Sequence, residues 1–235
     1  MTINPKEMPI TFSNSMVNAL LAGKKNQTRR IIKISTQMNL DMLNPAPKHG
    51  RAFAHFSDYE KAICINIPYG KVGDRLWVRE TYMPDAPRDG SWGDVEFYDC
   101  NMSPISMIPK KYQKSEHCIY RADWKGQELV GWKPSIHMPR WASRITLEIT
   151  GIRIERLLDI TEDDAKAEGI FWTDYGKNKY QQQQPGWYWD KSTSSDQCLG
   201  SARHAYGNLF EKINGPGSWD KNPWVWVVEF KRVNP

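Results

Sequence analysis

Between Arg144 and Thr150 the chain alternates strictly: Ile145, Leu147 and Ile149 stand against Thr146, Glu148 and Thr150. A period of two is that of an extended strand with one buried and one wet face. After Gly151 the phase slips by one residue, and Ile152 and Ile154 become the apolar pair. A slip at a glycine predicts a bulge or corner, the device with which a sheet bends towards a barrel. Near the end of the chain, Trp224, Trp226, Val228 and Phe230 alternate with Val225, Val227 and Glu229. Both faces of that strand are mostly apolar, which places it between other elements. Further strands are expected at 62–67, 75–82, 95–98 and 118–121, separated by long irregular connections. In the second of these, Leu76 and Val78 point one way and Trp77 and Arg79 the other.

Helix signals are few and short. Met16, Val17, Leu20 and Leu21 share one helical face, with N-cap candidates among Ser13–Ser15 and Gly23 as the stop. Glu162 to Glu168 reads as a short acidic helix with Thr161 as N-cap and Asp164 at N3, a capping-box-like start. A third helix runs from about Ser201 to Ile213, with Tyr206, Leu209, Phe210 and Ile213 on one face, and Asn214-Gly215-Pro216-Gly217 ends it.

Two stretches read as insertions. Residues 34–60 carry Pro45, Pro47 and Gly50 with little periodicity. Residues 175–197 hold Gln181–Gln184 and Ser192–Ser195 around Pro185-Gly186, a polar bias that predicts a mobile surface loop. Tyr180, Trp187, Tyr188 and Trp189 inside it either pin the loop to the body or stack on a base. No repeat or domain boundary is visible, so a single domain over 1–235 is expected.

At 40% hydrophobic and 25% charged residues, the chain has the balance of a folded globular protein. No run approaches the ~20 apolar residues of a membrane span, and the N-terminus lacks the apolar core of a signal peptide. The expectation is a cytoplasmic protein with no membrane partner. Cys64, Cys100, Cys118 and Cys198 are far apart and form no C-x-x-C pair, so neither a zinc site nor any other metal is expected. The net charge of +5 permits a nucleic-acid partner without demanding one.

Chemistry concentrates in Gly23-Lys24-Lys25-Asn26-Gln27-Thr28-Arg29-Arg30, where a helix ends and a β-branched strand begins. A helix-to-strand corner of this kind can aim ammonium, hydroxyl and guanidinium at one anionic or nucleotide ligand. The same cations at a helix C-terminus also favour the dipole and are commonly just solvated.

The segment resembles the signature of the ASCH domain, a PUA-like β-barrel family. The signature runs glycine, any residue, lysine, two residues, threonine, any residue, arginine; Gly23, Lys25, Thr28 and Arg30 fit it. Further similarities follow in order. Gly70–Glu80 resembles the family's Gly-Asp turn into a barrel strand, Thr161–Gly169 its acidic helix, and Trp224–Phe230 its closing strand. Pro134–Arg144 and Asn214–Asp220 are similar to the longer ASCH proteins of phages and prophages. The resemblance implies an α+β fold: a PUA-like barrel with a few short helices and long loop insertions.

It also implies a chemistry. Small members of the family resemble amidohydrolases that remove an acyl group from N4 of acetylcytidine. By position, the catalytic lysine, threonine and glutamate fall on Lys25, Thr28 and Glu168. A threonine hydroxyl needs an adjacent base. Lys25 can serve only when neutral, so burial or neighbouring cations must depress its pKa. Glu168, in the last turn of its helix, opposes the helix dipole, a placement suited to a proton donor. Lys24, Arg29, Arg30, Arg79 and Glu80 are the residues expected to bind substrate, and no cofactor is expected. The alternatives are a non-catalytic module that binds RNA, DNA or a modified base, with RNA favoured over DNA, and thirdly a nuclease.

Overall fold

The computed structural model describes residues 5–33, 42–43, 51–56, 59–85, 105–126, 131–173, 185–189 and 199–233. The N-terminal elements are β1 (Glu7–Thr11), α1 (Asn14–Leu21), β2 (Gln27–Ile31), β3 (Met42–Leu43), β4 (Arg51–Phe56), β5 (Tyr59–Asn66), β6 (Arg75–Arg79) and β7 (Tyr82–Pro84). The chain continues with β8 (Cys118–Tyr120), β9 (Thr146–Arg156), α2 (Glu162–Ala167), β10 (Phe171–Thr173), β11 (Gly186–Tyr188), α3 (Ala202–Asn214) and β12 (Trp224–Val233). Short 3-10 turns fill several of the connections.

The alternation that starts at Ile145 runs into the long central strand β9, and the Ile145, Leu147 and Ile149 side chains are fully buried. β12 pairs antiparallel along its whole length, from Trp224 opposite Arg156 to Val233 opposite Thr146. The register shifts where Glu229 faces Gly151 and Phe230 faces Ile149, leaving Thr150 as the extra residue. The phase slip at Gly151 is therefore a bulge, as the sequence predicts.

The main sheet has the order β1-β6-β9-β12-β2. β1 runs parallel to β6, and the other pairs are antiparallel. β12 separates two cores, because successive side chains on a strand point to opposite faces. Trp226, Val228 and Phe230 join Ile10, Phe12, Val17, Leu20, Leu76 and Val78 on one side. Val225 and Val227 join Ala165, Tyr206, Leu209 and Phe210 on the other. Helix α1 thus covers the first face and helices α2 and α3 the second, which is why β12 is apolar on both.

A closed barrel is not what forms: among the described residues β1 and β2 are both sheet edges. The fold is α+β with an open five-stranded sheet. The two edges are linked by a side chain in place of a ladder, with Arg30 Nη2 donating to the Thr11 carbonyl at 2.7 Å. Residues 34–60 also differ from the expectation. β3, β4 and the start of β5 lie there, within a small antiparallel sheet of order β3-β4-β5. Pro45, Pro47 and Gly50 precede β4 and do not interrupt it. A third small core, Tyr82, Tyr120, Met138 and Ala142, lies beside the β7–β8 pair. The expected strand at 95–98, the glutamine run and the serine run lie outside the described residues.

Candidate functional site

The turn after α1 sets the site. Gly23 takes φ +69, a left-handed conformation that glycine adopts without a Cβ penalty. The backbone N–H groups of Lys24 and Lys25 then both donate to the Ala19 carbonyl, at 2.9 and 3.1 Å. This folds the chain back so that Lys25 pairs with Glu168 in an isolated antiparallel bridge just before β2 begins. Gly169 lets the two segments come close, since a Cβ there would stand 2.9 Å from Ala19 Cβ.

Lys25 is buried, and its Nζ donates to the Gln27 carbonyl at 2.7 Å, the Glu168 carbonyl at 2.8 Å and Glu168 Oε2 at 2.8 Å. An ammonium has three hydrogens, and each has an acceptor. Burial pushes the Lys25 ammonium below its ordinary range; Glu168 works against this, while Arg30 and Arg29 add to it.

Glu168 is the C-cap of α2, a helix held at its start by a full capping box between Thr161 and Asp164. Its two carboxylate oxygens face different partners. Oε2 meets Lys25, and Oε1 lies 3.5 Å from Arg29 Nη1, too far for a good hydrogen bond. Both Oε1 and Nη1 are buried without a hydrogen-bond partner among the described residues. The other end of the Arg29 guanidinium is committed, with Nη2 at 2.9 Å from Glu155 and 3.2 Å from Asp164.

Asp164 also accepts from Gln27 Nε2 at 3.2 Å and Arg153 Nη2 at 2.9 Å. Arg153 in turn binds Glu155 and Glu229. Burial disfavours the Asp164 anion, but Arg29 and the Thr161 hydrogen bonds outweigh it and hold the carboxyl below its ordinary value.

Register decides which β2 side chains meet which core. Thr28 and Arg30 lie opposite Val228 and Trp226, on the α1 side. Gln27, Arg29 and Ile31 lie opposite Glu229, Val227 and Val225, on the α2 and α3 side. At the open edge of β2 a cavity of about 40 Å³ is lined by Met16, Thr28, Arg29, Arg30, Glu168 and Tyr206, with further residues of α3. One water needs ~10–15 Å³, so the cavity has room for a few waters or a small acyl group and is too small for a pyrimidine ring. Burial, reinforced by the Glu168 carboxylate, pushes the Tyr206 phenol well above the ordinary tyrosine range.

The residues expected to act therefore divide. Lys25 and Glu168 touch, and Thr28, Arg29 and Arg30 share the cavity wall with Glu168. Arg30 also stacks on Phe12, 5.4 Å from its centroid, as Lys25 does at 5.5 Å. Lys24 is exposed and stands over Phe171 at 5.1 Å. Arg79 stacks on Trp77 at 4.7 Å. Glu80 is wholly buried and held by two 2.9 Å bonds from Arg144, which also pairs with Asp123 and stacks on Tyr120. Burial raises the Glu80 carboxyl and Arg144 opposes that rise. Neither Arg79 nor Glu80 lines the cavity at β2.

The sequence reading missed Gln27, Tyr206 and the network role of Asp164. A signal for the network was available in β2 itself. Gln27 and Arg29 are two residues apart, so they point the same way, and the face they share is polar and must meet carboxylates if buried.

Among the described residues, no group of three or more His, Cys, Asp or Glu side chains is placed to hold a metal ion. No described helix is long and apolar enough to cross a membrane. Comparison of the chain with protein-family models, with curated proteins and with solved structures gives no match.

Proposed function

We propose that this chain is an ASCH-like, PUA-related protein that hydrolyses the amide of an N4-acylated cytosine or a similar modified base. One observation carries the reading. Lys25 Nζ and Glu168 Oε2 meet at 2.8 Å in a buried pair, and Glu168 and Thr28 both line the cavity at β2. Moving one proton along that contact turns the pair into a free amine and a carboxylic acid, the base and the acid that amide hydrolysis uses. Burial of Lys25 favours the free amine.

Thr28 Oγ1 attacks the acyl carbonyl and its proton passes to Lys25 Nζ. Arg30, on the same strand face as Thr28, faces the developing oxyanion. The C–N4 bond breaks as Glu168 protonates the departing amine. Water then cleaves the threonine ester and releases the carboxylic acid, and Lys25 and Glu168 return to their starting states. The small cavity suits the acyl group, with the base at its mouth.

The second reading, a binding module for RNA or a modified base, is favoured by the three acceptors that saturate the Lys25 ammonium. Incubation of the protein with a panel of N4-acylated cytosine nucleosides, followed by mass spectrometry, separates the two. Hydrolysis yields the deacylated nucleoside and the free acid. Unchanged starting material across the panel, with ligand still bound, supports the binding module instead.

A further inference from the structure

Helix α3 supplies one wall of the cavity at β2. Tyr206, Leu209, Phe210 and Ile213 all line it, and their spacing of i, i+3, i+4 and i+7 puts them on one helical face. Tyr206, Leu209 and Phe210 are buried in the core that includes Val225 and Val227. Ile213 is 50% exposed although it lines the same cavity, so it stands where the cavity meets solvent. Gly215 ends the helix two residues later at φ +96, its N–H donating to the Glu211 carbonyl at 2.8 Å. Ile213 is thereby held in the last helical turn and not on a loop. Met16 of α1 lines the cavity as well and packs against both cores.

The cavity has two kinds of wall. Thr28, Arg29, Arg30 and Glu168 bring polar and charged side chains, while Met16, Ile31, Leu209, Phe210 and Ile213 bring hydrocarbon. An N-acyl group divides in the same way, with a polar carbonyl at one end and an alkyl tail at the other. A non-hydrogen atom of such a group is comparable in size with a water. At ~10–15 Å³ for each, the cavity of about 40 Å³ takes roughly three. Acetyl has that number, and butyryl exceeds it.

We infer that Met16 and Ile213 set an upper limit on the acyl group this site accepts, one that admits acetyl and rejects butyryl. The identity of the ligand rests on the hydrolase reading; the limit comes from the cavity walls. Both residues act on specificity and neither takes part in the chemistry. A longer chain has to displace the Ile213 side chain, or else leaves its carbonyl short of Thr28 and Arg30.

The test pairs kinetics with binding. Wild type, Ile213→Ala and Ile213→Trp are given N4-acetylcytidine and N4-butyrylcytidine, and kcat/KM is measured for each. Wild type should prefer the acetyl compound by about 10- to 200-fold, the discrimination that an apolar pocket achieves over one methylene. Ile213→Ala removes hydrocarbon at a half-exposed position and should raise the butyryl-to-acetyl ratio by about tenfold or more. Ile213→Trp should lower turnover of both. A loss of stability alone would scale both substrates together and leave the ratio unmoved. Saturation-transfer NMR with N-methylacetamide and N-methylbutyramide reads occupancy without any turnover: wild type should take up the first and not the second, and Ile213→Ala should take up both. That pattern of occupancy with no hydrolysis of either nucleoside would overturn the hydrolase reading and leave the size limit standing. Equal kcat/KM for the two nucleosides in wild type, or an unchanged ratio in Ile213→Ala, would overturn the size limit alone. Where nothing turns over, equal or absent uptake of the two amides would overturn both.

Discussion

Lys25 donates every hydrogen of its ammonium inside the protein, so the fold depends on it whatever chemistry it performs. Lys25→Met should destabilise the protein by about 3–5 kcal/mol, because it leaves the Glu168 carboxylate buried with its main partner gone. Adding Glu168→Met should restore much of the loss, since replacing both members of a buried pair is far less costly than removing one. Urea unfolding of the two variants measures both effects, and a single variant within about 1 kcal/mol of wild type would show that the pair is not the anchor described here.

Asp164 makes a different prediction at the same scale. Its folded-state value lies below its ordinary one because Arg29 and Thr161 overcome the effect of burial. Its ionised form therefore stabilises the fold above about pH 4, and that stability is lost as pH falls through the lower, folded-state value. Asp164→Asn should lower stability at neutral pH and flatten the loss on acidification. An acid unfolding curve parallel to that of wild type would contradict this.

The short helix α2 links several of these residues. Thr161 and Asp164 cap its start, and Glu168 closes its end against Lys25. Thr161→Ala should cost about 0.5–2 kcal/mol, as loss of an N-cap does. It should also speed amide hydrogen exchange at Glu168 and Gly169, whose N–H groups bond to Asp164 and Lys166 carbonyls within the same turn. Exchange rates at those amides equal to wild type would separate the cap from the site.

This helix, α1, α3, the Gly151 bulge and the two-faced β12 were all legible in the sequence. Each is written by local signals: a capping residue, a glycine, a period of two or of 3.6. The partners of Arg29 and Glu80 were not. Glu155, Asp164 and Arg144 lie far along the chain from them, and only the stacking of elements brings the charges together. Strands β3, β4 and the start of β5 were missed, while the rest of β5 fell within the strand expected at 62–67; a short strand can be held by backbone pairing, which leaves no side-chain pattern to read. The signature positions Lys25, Thr28 and Glu168 came from resemblance, and the contact between the first and the last is what the geometry adds.

Across the whole molecule, the site exists because one open sheet carries helices on both faces. α1 reaches from the β1 edge to the β2 edge, and α2 and α3 cover the opposite side. The seam at β2, where a barrel would close, is where the cavity lies, with Arg30 strapped across to Thr11. The central claim of the proposed function is that Lys25, held against Glu168, acts as a neutral base. The most direct measurement is turnover of N4-acetylcytidine by Lys25→Arg beside wild type, with nucleoside affinity determined for both. Arginine keeps the positive charge but cannot accept a proton near neutral pH. The account predicts that turnover falls by at least about 10²-fold while affinity stays nearly unchanged. Wild-type turnover by Lys25→Arg would contradict it.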